Sequence, residues 1–586
     1  MKDFNRNKEH TLFWALAAMA IIALIPFLGE TLFNTKGEPR EAVVALSMLQ
    51  TGDWISPINN GVDIAYKPPF FHWCVALCSL FIGKVTEFTS RFPSAIATIA
   101  MLLVMYRCMI KNKVDERLAF ITGAITLTAF EVHRAAMACR VDMVLSALTV
   151  MALLLFQRWH ATRRRMFLPA VVLLLSGAFL TKGPVGALLP CVVMGVYMLL
   201  RGERLWKAFA VCLALVLAAS ILPLAWYYAA YRERGNEFLY LVYEENVLRL
   251  LGKMAYSSHE APAIYNVGTM LAGFLPYTLF AVVSLFVVRY RKPHFGNKGG
   301  NIINRIWNAV CRQLGKLKKM SDYNLMALLS AVIIFVFYCI PKSKRSVYLL
   351  PVYPFAAYFL SRLILWMVCQ KRKMAEAFGW LIVALTVILP IASALLMTGI
   401  VPTSVFHGKH AAEYAAYIES FTDGAWNMPF FFAFAASAFA VWGFVKRRKR
   451  SPYWFCGSLT VLVVAMNFSL DGVVLPRVLG VKSDYKMAGE IAELVPPEEK
   501  IWDYRHDWKP GERSRMHQFT VNFYIGDRIK PLDFNKPKAG YMIMGDNDFM
   551  PFMKEYPQYR LIKVKRFEHK SCDDKRFLTL YTFSQK

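Results

Sequence analysis

Long apolar runs, separated by short basic clusters, set the pattern of this chain. Runs near the roughly 20 residues that a helix needs to cross a bilayer recur near 11–29, 93–110, 118–137, 142–157, 167–181, 184–200, 208–229, 264–289, 323–340, 347–368, 378–400, 428–445 and 453–470. The pattern predicts an all-α polytopic membrane protein of about thirteen transmembrane helices. Leu12 to Leu28, preceded by Lys2, Arg6 and Lys8, also has the shape of a cleaved leader. The chain that follows it is too apolar to be the remainder of a secreted soluble protein.

The loops sort by charge. Arg107, Lys111, Lys113 and Arg117 share one side with Arg158, Arg163, Arg164 and Arg165, and with Arg201, Arg204 and Lys207. The basic stretch 289–319, then Lys371 to Lys373 and Lys446 to Arg450, fall on the same side as the N-terminus. The positive-inside rule makes that side cytoplasmic, and an odd number of spans puts the C-terminal segment outside. The expected outer segments are 30–92, 138–141, 182–183, 230–263, 341–346, 401–427 and 471–586.

Two outer segments are long. In 30–92, Glu41 to Leu49 predicts a short amphipathic helix stopped at Thr51-Gly52-Asp53. Phe70 to Phe81 is apolar but too short to span, and fits a helix lying in the interface plane. From 471 the composition turns polar. Gln518 to Tyr524, Tyr541 to Met544 and Leu578 to Phe583 read as strands and Lys486 to Leu494 as a helix. The expected division is a membrane catalytic domain over 1–470 and a small periplasmic α/β domain over 471–586.

Composition changes little in this picture. The chain is 56% hydrophobic. A net charge of +29 would point to nucleic acid in a soluble protein. Here the cations lie between apolar runs and no basic binding module is visible, so topology accounts for many of them. The eleven cysteines mostly sit in or beside apolar runs, where they act as small hydrophobes. The C-terminal segment holds only Cys572, so it has no disulfide framework of its own.

Candidate chemistry clusters in the outer loops. Glu38, Arg40 and Glu41 follow Lys36-Gly37, and Tyr66-Lys67-Pro68-Pro69 comes later in the same loop. Asp142 opens a span after Arg140, Thr181-Lys182-Gly183 ends another, and Glu244, Glu245 and Arg249 lie in the long fourth outer loop. Lys342, Lys344 and Arg345 sit at a further outer end. Ionisable groups at membrane depth are expensive and usually have a partner or a task. Cations there hold phosphate, arginine by a fork and lysine as a point charge. A carboxylate accepts a proton or stabilises positive charge developing on a sugar.

Plainer readings stand beside these. Glu38 and Arg40 fit a surface ion pair, Asp142 a helix cap, Lys67 an interface anchor, and Lys342, Lys344 and Arg345 a lipid-headgroup contact. His72, His133 and His259 fit structural or solvated roles, and Asp53 a turn.

In order, the motifs are specific. Gly37-Glu38-Pro39-Arg40, Gly52-Asp53-Trp54-Ile55, Lys67-Pro68, Asp142, Thr181-Lys182-Gly183, Glu245 to Arg249, His259-Glu260-Ala261-Pro262, and Lys342-Ser343-Lys344 with Tyr348 follow one another along residues 11–370. Here the chain resembles the polyprenyl-phosphate-dependent GT-C glycosyltransferases, the lipid A aminoarabinose transferases and protein mannosyltransferases. The resemblance implies a GT-C helical bundle with outer interfacial helices covering a lipid-open cavity.

The expected activity is sugar transfer, with inversion, from a polyprenyl (undecaprenyl) phosphate donor to a lipid or glycan acceptor at the periplasmic face of a bacterial inner membrane. Arg40, Lys67, Lys342, Lys344 and Tyr348 would hold the carrier phosphate. Glu38 and Asp142 would stand nearest the sugar and acceptor. Lys182, Glu245, Arg249 and His259 would contact substrate. A monomer is expected.

Two departures matter. The family's leading aspartate is Gly37 here, so Glu38 acts as base or none is needed. The positions that hold zinc in relatives are Tyr66 and Asn246, so that metal site is expected to be absent and no cofactor is assigned. A divalent ion bridging Glu38 and Asp142 stays an open reading. The alternatives are a surface-polysaccharide polymerase or ligase, which would usually take a diphosphate carrier, a lipid-linked sugar transporter or flippase, and a scaffold whose outer domain binds a partner.

Overall fold

The computed structural model describes residues 2–60, 63–65, 67–251, 253, 260–287, 312–408, 410–424, 426–506, 518–532 and 537–586. Each of the thirteen predicted stretches carries helix, and eight of the described helices are long and apolar enough to cross a membrane. Four shorter apolar helices, His10–Leu24, Phe70–Ile82, Phe167–Lys182 and Val185–Leu200, stand among them. The bundle is sided. Leu217, Ile221 and Leu224 of the helix Leu205–Arg234 face outward, while Met101, Leu102, Val150 and Leu153 of neighbouring helices are buried. An apolar outward face on helices of spanning length fits contact with lipid.

Two predicted spans are interrupted. The stretch 118–137 divides at Ala129, which is extended, into Glu116–Thr128 and Phe130–Ala136. The stretch 264–289 divides into Ile264–Gly273 and Thr278–Val287, bent by 109°. The two breaks face each other. Phe130 donates its N–H to Leu275 O at 3.1 Å, and Thr128 shares a 2.7 Å hydrogen bond with Tyr277. Broken backbone is tolerated inside a membrane only where protein satisfies it, which is the case here.

The first outer loop is a compact layer. A helix over Pro39–Thr51 starts with proline at its first turn, where the missing N–H costs nothing. It ends at Gly52 in the left-handed conformation (φ 73°), whose N–H returns to Met48 O. Asp53 then accepts from Ile55 N and Ser56 N, closing the turn. Two indoles fix it: Trp73 donates to Trp54 O and Trp226 to Ile55 O, both at 2.8 Å. A hairpin of β1 (Ile58–Asn59) and β2 (Asp63–Ile64) follows, then the helix Phe70–Ile82.

The last helix of the bundle, Pro452–Ser469, runs on through a π turn at Leu470–Val474 to Gly480. Beyond it lies a five-stranded sheet of β3 (Ile501–Tyr504), β4 (Ile529–Pro531), β5 (Ala539–Gly545), β6 (Tyr559–Lys570) and β7 (Phe577–Gln585), in the order β4-β3-β5-β7-β6. β3 is parallel to β4 and β5; β7 is antiparallel to β5 and β6. One face packs Met487 and Ile491 of the helix Tyr485–Leu494, and the other packs Phe552 and Tyr559.

One predicted strand is a helix instead: Phe519–Tyr524 lies within the run 518–524. The side chain of Asp573 takes both Thr520 N (2.8 Å) and Thr520 Oγ1 (2.9 Å), holding the helix start. A tertiary carboxylate overrides the β preference of Thr, Val, Phe and Tyr.

That helix is the contact between the sheet and the first outer loop. Phe523 stacks edge-on against Phe33 at 4.9 Å, and Asn522 donates to Asn60 Oδ1 at 2.7 Å. The Tyr524 hydroxyl accepts from Phe33 N at 2.9 Å and donates to Glu87 at 2.6 Å. Tyr524→Phe removes both bonds, at a cost of about 1–3 kcal/mol because Phe33 N–H is left without its acceptor. The expected result in hydrogen–deuterium exchange is faster exchange at the Phe33 amide; unchanged exchange contradicts this docking.

Candidate active site

The first outer loop and the start of the helix Val141–Thr162 bring three buried or half-buried carboxylates together, each with its own cation. Glu38 is the residue before the helix Pro39–Thr51, but its side chain does not cap it. It accepts instead from Arg91 Nε (2.9 Å), Arg91 Nη2 (3.1 Å) and Cys139 N (2.7 Å). Burial alone would raise the Glu38 pKa, but the Arg91 charge and these hydrogen bonds outweigh it and hold the carboxyl below its ordinary value. Arg91 also donates to Leu28 O and Thr31 O and lies over the Phe33 ring.

Glu41, one turn on, points into the protein and is 3% exposed. It is bonded by Lys67, by His72 Nε2 at 3.0 Å and by Arg40 at 3.3 Å. Burial opposes its charge, yet Lys67, His72 and Arg40 together hold its pKa well below the carboxylate range. Lys67 is pushed down to about 8, first by burial and then by Arg40, against the pull of Glu41. The anticipated Glu38–Arg40 pair is not formed: Glu38 belongs to Arg91 and Arg40 to Glu41.

Asp142 is the second residue of the helix Val141–Thr162 and makes no capping bond; its carboxylate pairs with Lys182. Lys182 ends the helix Phe167–Lys182, and its ammonium also lies 4.0 Å from the Tyr348 ring centre. Gly183 explains the last position of the Thr-Lys-Gly motif. Its φ is +83°, and a Cβ there would fall 2.5 Å from Asn246 Oδ1.

Beside this cluster opens a cavity of about 520 Å³. Lys67, Lys182, Tyr348, Glu245 and Arg249 line one part of it. Val185, Leu188, Val192, Trp226, Phe238 and Phe337 line the rest. Leu188 and Val192 are half-exposed, so the apolar part reaches the outer surface of the bundle. Glu245 and Asn246 belong to a π turn, Glu244–Leu248, and Glu245 pairs with Arg249. Lys67 also lines a smaller pocket with Arg40, Glu41, His72 and Asn59, and so stands between the carboxylate cluster and the large cavity.

Of the residues expected at the site, the structure therefore gathers Glu38, Arg40, Lys67, Asp142, Lys182, Glu245, Arg249 and Tyr348 around one region. Lys342 is exposed, and Lys344 is buried with its ammonium on Pro341 O; neither lines the cavity, whereas Pro341 and Ser343 of the same loop do. His259 and Tyr66 lie outside the described residues. Asn246 donates its amide to Val242 O, and a phenol with a carboxamide does not supply the carboxylate and imidazole that a zinc ion takes. In the C-terminal segment Asp484, Cys572 and Asp573 lie together, but Asp484 accepts from Ser571 and Cys572 N, and Asp573 from Thr520.

Sequence reasoning missed Arg91 and underrated His72 and Glu41. Arg91 sits just before an apolar run among residues of no chemical interest, and only the fold carries it to Glu38.

The fold is of the GT-C type, and the likeness to known proteins extends to sequence. The family model for dolichyl-phosphate-mannose-protein mannosyltransferase matches residues 66–227. The chain is 25% identical over 392 residues to an undecaprenyl phosphate-alpha-4-amino-4-deoxy-L-arabinose arabinosyl transferase of Pectobacterium carotovorum subsp. carotovorum (strain PC1), covering 66% of this chain and 65% of that relative. With the same-named transferase of Enterobacter sp. (strain 638) it shares 23% identity over 493 residues, 82% of this chain and 79% of that one. The crystal structure of ArnT from Cupriavidus metallidurans bound to undecaprenyl phosphate has the same fold, with a TM-score of 0.67, 20% identity and 97% of each chain covered. The chain thus spans just under two thirds of the length of the first of these relatives.

Lys67 gives the site a pH signature. It loses its charge above about 8, whereas a phosphate monoester is already ionised well below that. If the site takes a polyprenyl phosphate, as proposed below, its affinity should fall on the order of tenfold between pH 7 and pH 9. Lys67→Arg, which keeps its charge, should flatten the profile. A flat profile in the unsubstituted protein contradicts a phosphate contact by Lys67.

Proposed function

We propose that this chain is an integral-membrane glycosyltransferase that moves a sugar from a polyprenyl phosphate donor to a lipid or glycan acceptor at the periplasmic face of a bacterial inner membrane. The observation that carries the reading is Lys67, locked to Glu41 on one side and lining an apolar cavity on the other. A cavity with cations at one end and an apolar reach at the other suits an isoprenoid chain ending in phosphate. The transferases named above act on undecaprenyl phosphate sugars, and that supports the donor class.

Lys67, Lys182 and Arg249 are assigned to the carrier phosphate, with Arg40 and Tyr348 supporting them. The acceptor oxygen attacks the anomeric carbon opposite the phosphate. A new C–O bond forms, the bond to the phosphate oxygen breaks, and the carrier leaves with the electron pair as polyprenyl phosphate, with inversion. The leaving group gains one negative charge, which these cations stabilise as it develops. Asp142 is the carboxylate assigned beside the sugar; with a hydroxyl acceptor it takes the proton. Glu38, whose two oxygens already accept three N–H groups, positions Arg91 and the loop. The basic loops support a cytoplasmic N-terminus and, with it, a periplasmic C-terminal sheet. The bent pair Ile264–Gly273 and Thr278–Val287 also fits a lipid-linked sugar transporter, which moves substrate without bond cleavage.

Transfer of label from a panel of polyprenyl-monophosphate sugars into cell-envelope extract tests the proposal. The purified chain should transfer one of them, and Asp142→Asn and Lys67→Ala should each lower the rate by roughly 10²–10⁴-fold. Full activity in both variants overturns the site. Movement of an intact donor across the membrane with no transfer favours the transporter.

A further inference from the structure

The end of the bundle away from the C-terminal sheet carries a second concentration of charge. Two segments meet there: Lys371 to Lys373 at the start of the helix Arg372–Met397, and Lys446 to Arg450 at the end of the helix Met428–Arg447. Together they hold eight cations, and among the described residues the one carboxylate paired with any of them is Glu376, which Arg372 takes at 2.9 Å. Topology explains the sign of this charge, and lysines trailing in water would satisfy it. It does not explain why the arginines lie on aromatic rings. Arg448 Cζ is 4.9 Å from the Trp380 ring centre, Arg447 Cζ 5.1 Å from Trp454 and Arg372 Cζ 5.0 Å from Phe455. Arg372 also donates to Arg448 O, tying the two segments together. The rings pack on one another, Phe444 standing 6.1 Å from Trp380 and 5.6 Å from Phe455. Gly379 permits this approach, since a Cβ there would fall 2.5 Å from Phe444 Cζ. Three helices thus build one corner.

A ring holds the face of a guanidinium and leaves its N–H edge for an acceptor. Arg448 Nη1 donates to Val445 O at 3.3 Å, but Arg448 Nε is buried and has no hydrogen-bond partner among the described residues. Such an N–H is costly unless something outside the protein supplies the oxygen, and the fork matches phosphate. The wall beside the corner is apolar. Trp380 and Trp454 are 45% and 47% exposed, and Leu381, Leu385 and Ile388 face outward further along the same helix as Trp380. Cations at the end of a span with an apolar wall running along it suit a lipid with an anionic headgroup; a soluble anion would leave the wall unused. We propose that Arg372, Arg447 and Arg448 seat the phosphate of an anionic phospholipid, with its acyl chains along the outward face of the helix Arg372–Met397. The helix Tyr353–Gln370, of 18 residues and so roughly 27 Å long, separates this corner from Tyr348 and the cavity. The inference is therefore independent of the glycosyltransferase reading.

Native mass spectrometry of the full chain, titrated in detergent with phosphatidylglycerol or with phosphatidylethanolamine of identical acyl chains, tests this. The first phosphatidylglycerol should bind at least about tenfold more tightly than the first phosphatidylethanolamine. The double variant Arg372→Gln and Arg448→Gln should lose that preference. The double variant Arg164→Gln and Arg165→Gln, which removes the same charge from an exposed loop on the same side, should keep it. Arg448→Lys, which keeps the charge without the planar fork, should lie between, and it decides the matter together with the unsubstituted chain if the first double variant does not fold. Added glycerol phosphate, the headgroup chemistry without chains, should leave the lipid bound. Equal affinity of the unsubstituted chain for the two lipids overturns the proposal. So does an equal loss in both double variants, which would mean general attraction to a basic face, and so does displacement by glycerol phosphate, which would mean a soluble-anion site.

Discussion

Glu41 is an ionised carboxylate 3% exposed on an otherwise apolar helix face, and the first outer loop takes its shape from neutralising it. A carboxylate removed from water is tolerated only with close partners. Here the partners come from three places: Arg40 beside it, Lys67 after the small hairpin, and His72 on the following helix. Satisfying one charge therefore folds residues 38–72 against each other. It also fixes Lys67, a long side chain that would otherwise lose considerable entropy on being ordered, at the wall of the cavity.

A second pair carries that order outward. Glu38 and Arg91 join the loop to the helix Glu87–Lys111, and Arg91 stacks on Phe33, which the C-terminal sheet holds through Phe523 and Tyr524. At the other end of the loop, Arg234 and Glu233 at the tip of the helix Leu205–Arg234 bond Asp53 and Ser56. Past Gly235, where that helix ends, the short helix Asn236–Tyr243 leads to the π turn that supplies Glu245 to the cavity. The loop is thus tied on one side to the C-terminal sheet and on the other to the cavity wall.

The bundle was legible because span length and charge asymmetry are imposed by the bilayer and need no knowledge of packing. The outer helix ending at Gly52 was legible for a local reason, since glycine and the Asp53 turn stop a helix by themselves. The breaks at Ala129 and near Leu275 were not, because each is satisfied by the other across more than a hundred residues of chain. The helix Phe519–Tyr524 was misread as a strand for the same reason, its start being held by Asp573. Motif order named loops that the fold brings together, but pairing needed coordinates. Sequence spacing favoured Glu38 with Arg40, whereas the fold gives Glu38 to Arg91 and leaves Arg140 over Gly37.

The central claim is that Lys67 and Lys182 mark the place of a carrier phosphate and that the apolar cavity beside them takes its chain. Cryo-electron microscopy of the protein in nanodiscs with undecaprenyl phosphate tests it most directly. The account predicts phosphate density in contact with Lys67 and Lys182, and isoprenoid density running past Leu188 and Val192 to the lipid. Phosphate density elsewhere, with the cavity filled by solvent or closed by side chains, would contradict it.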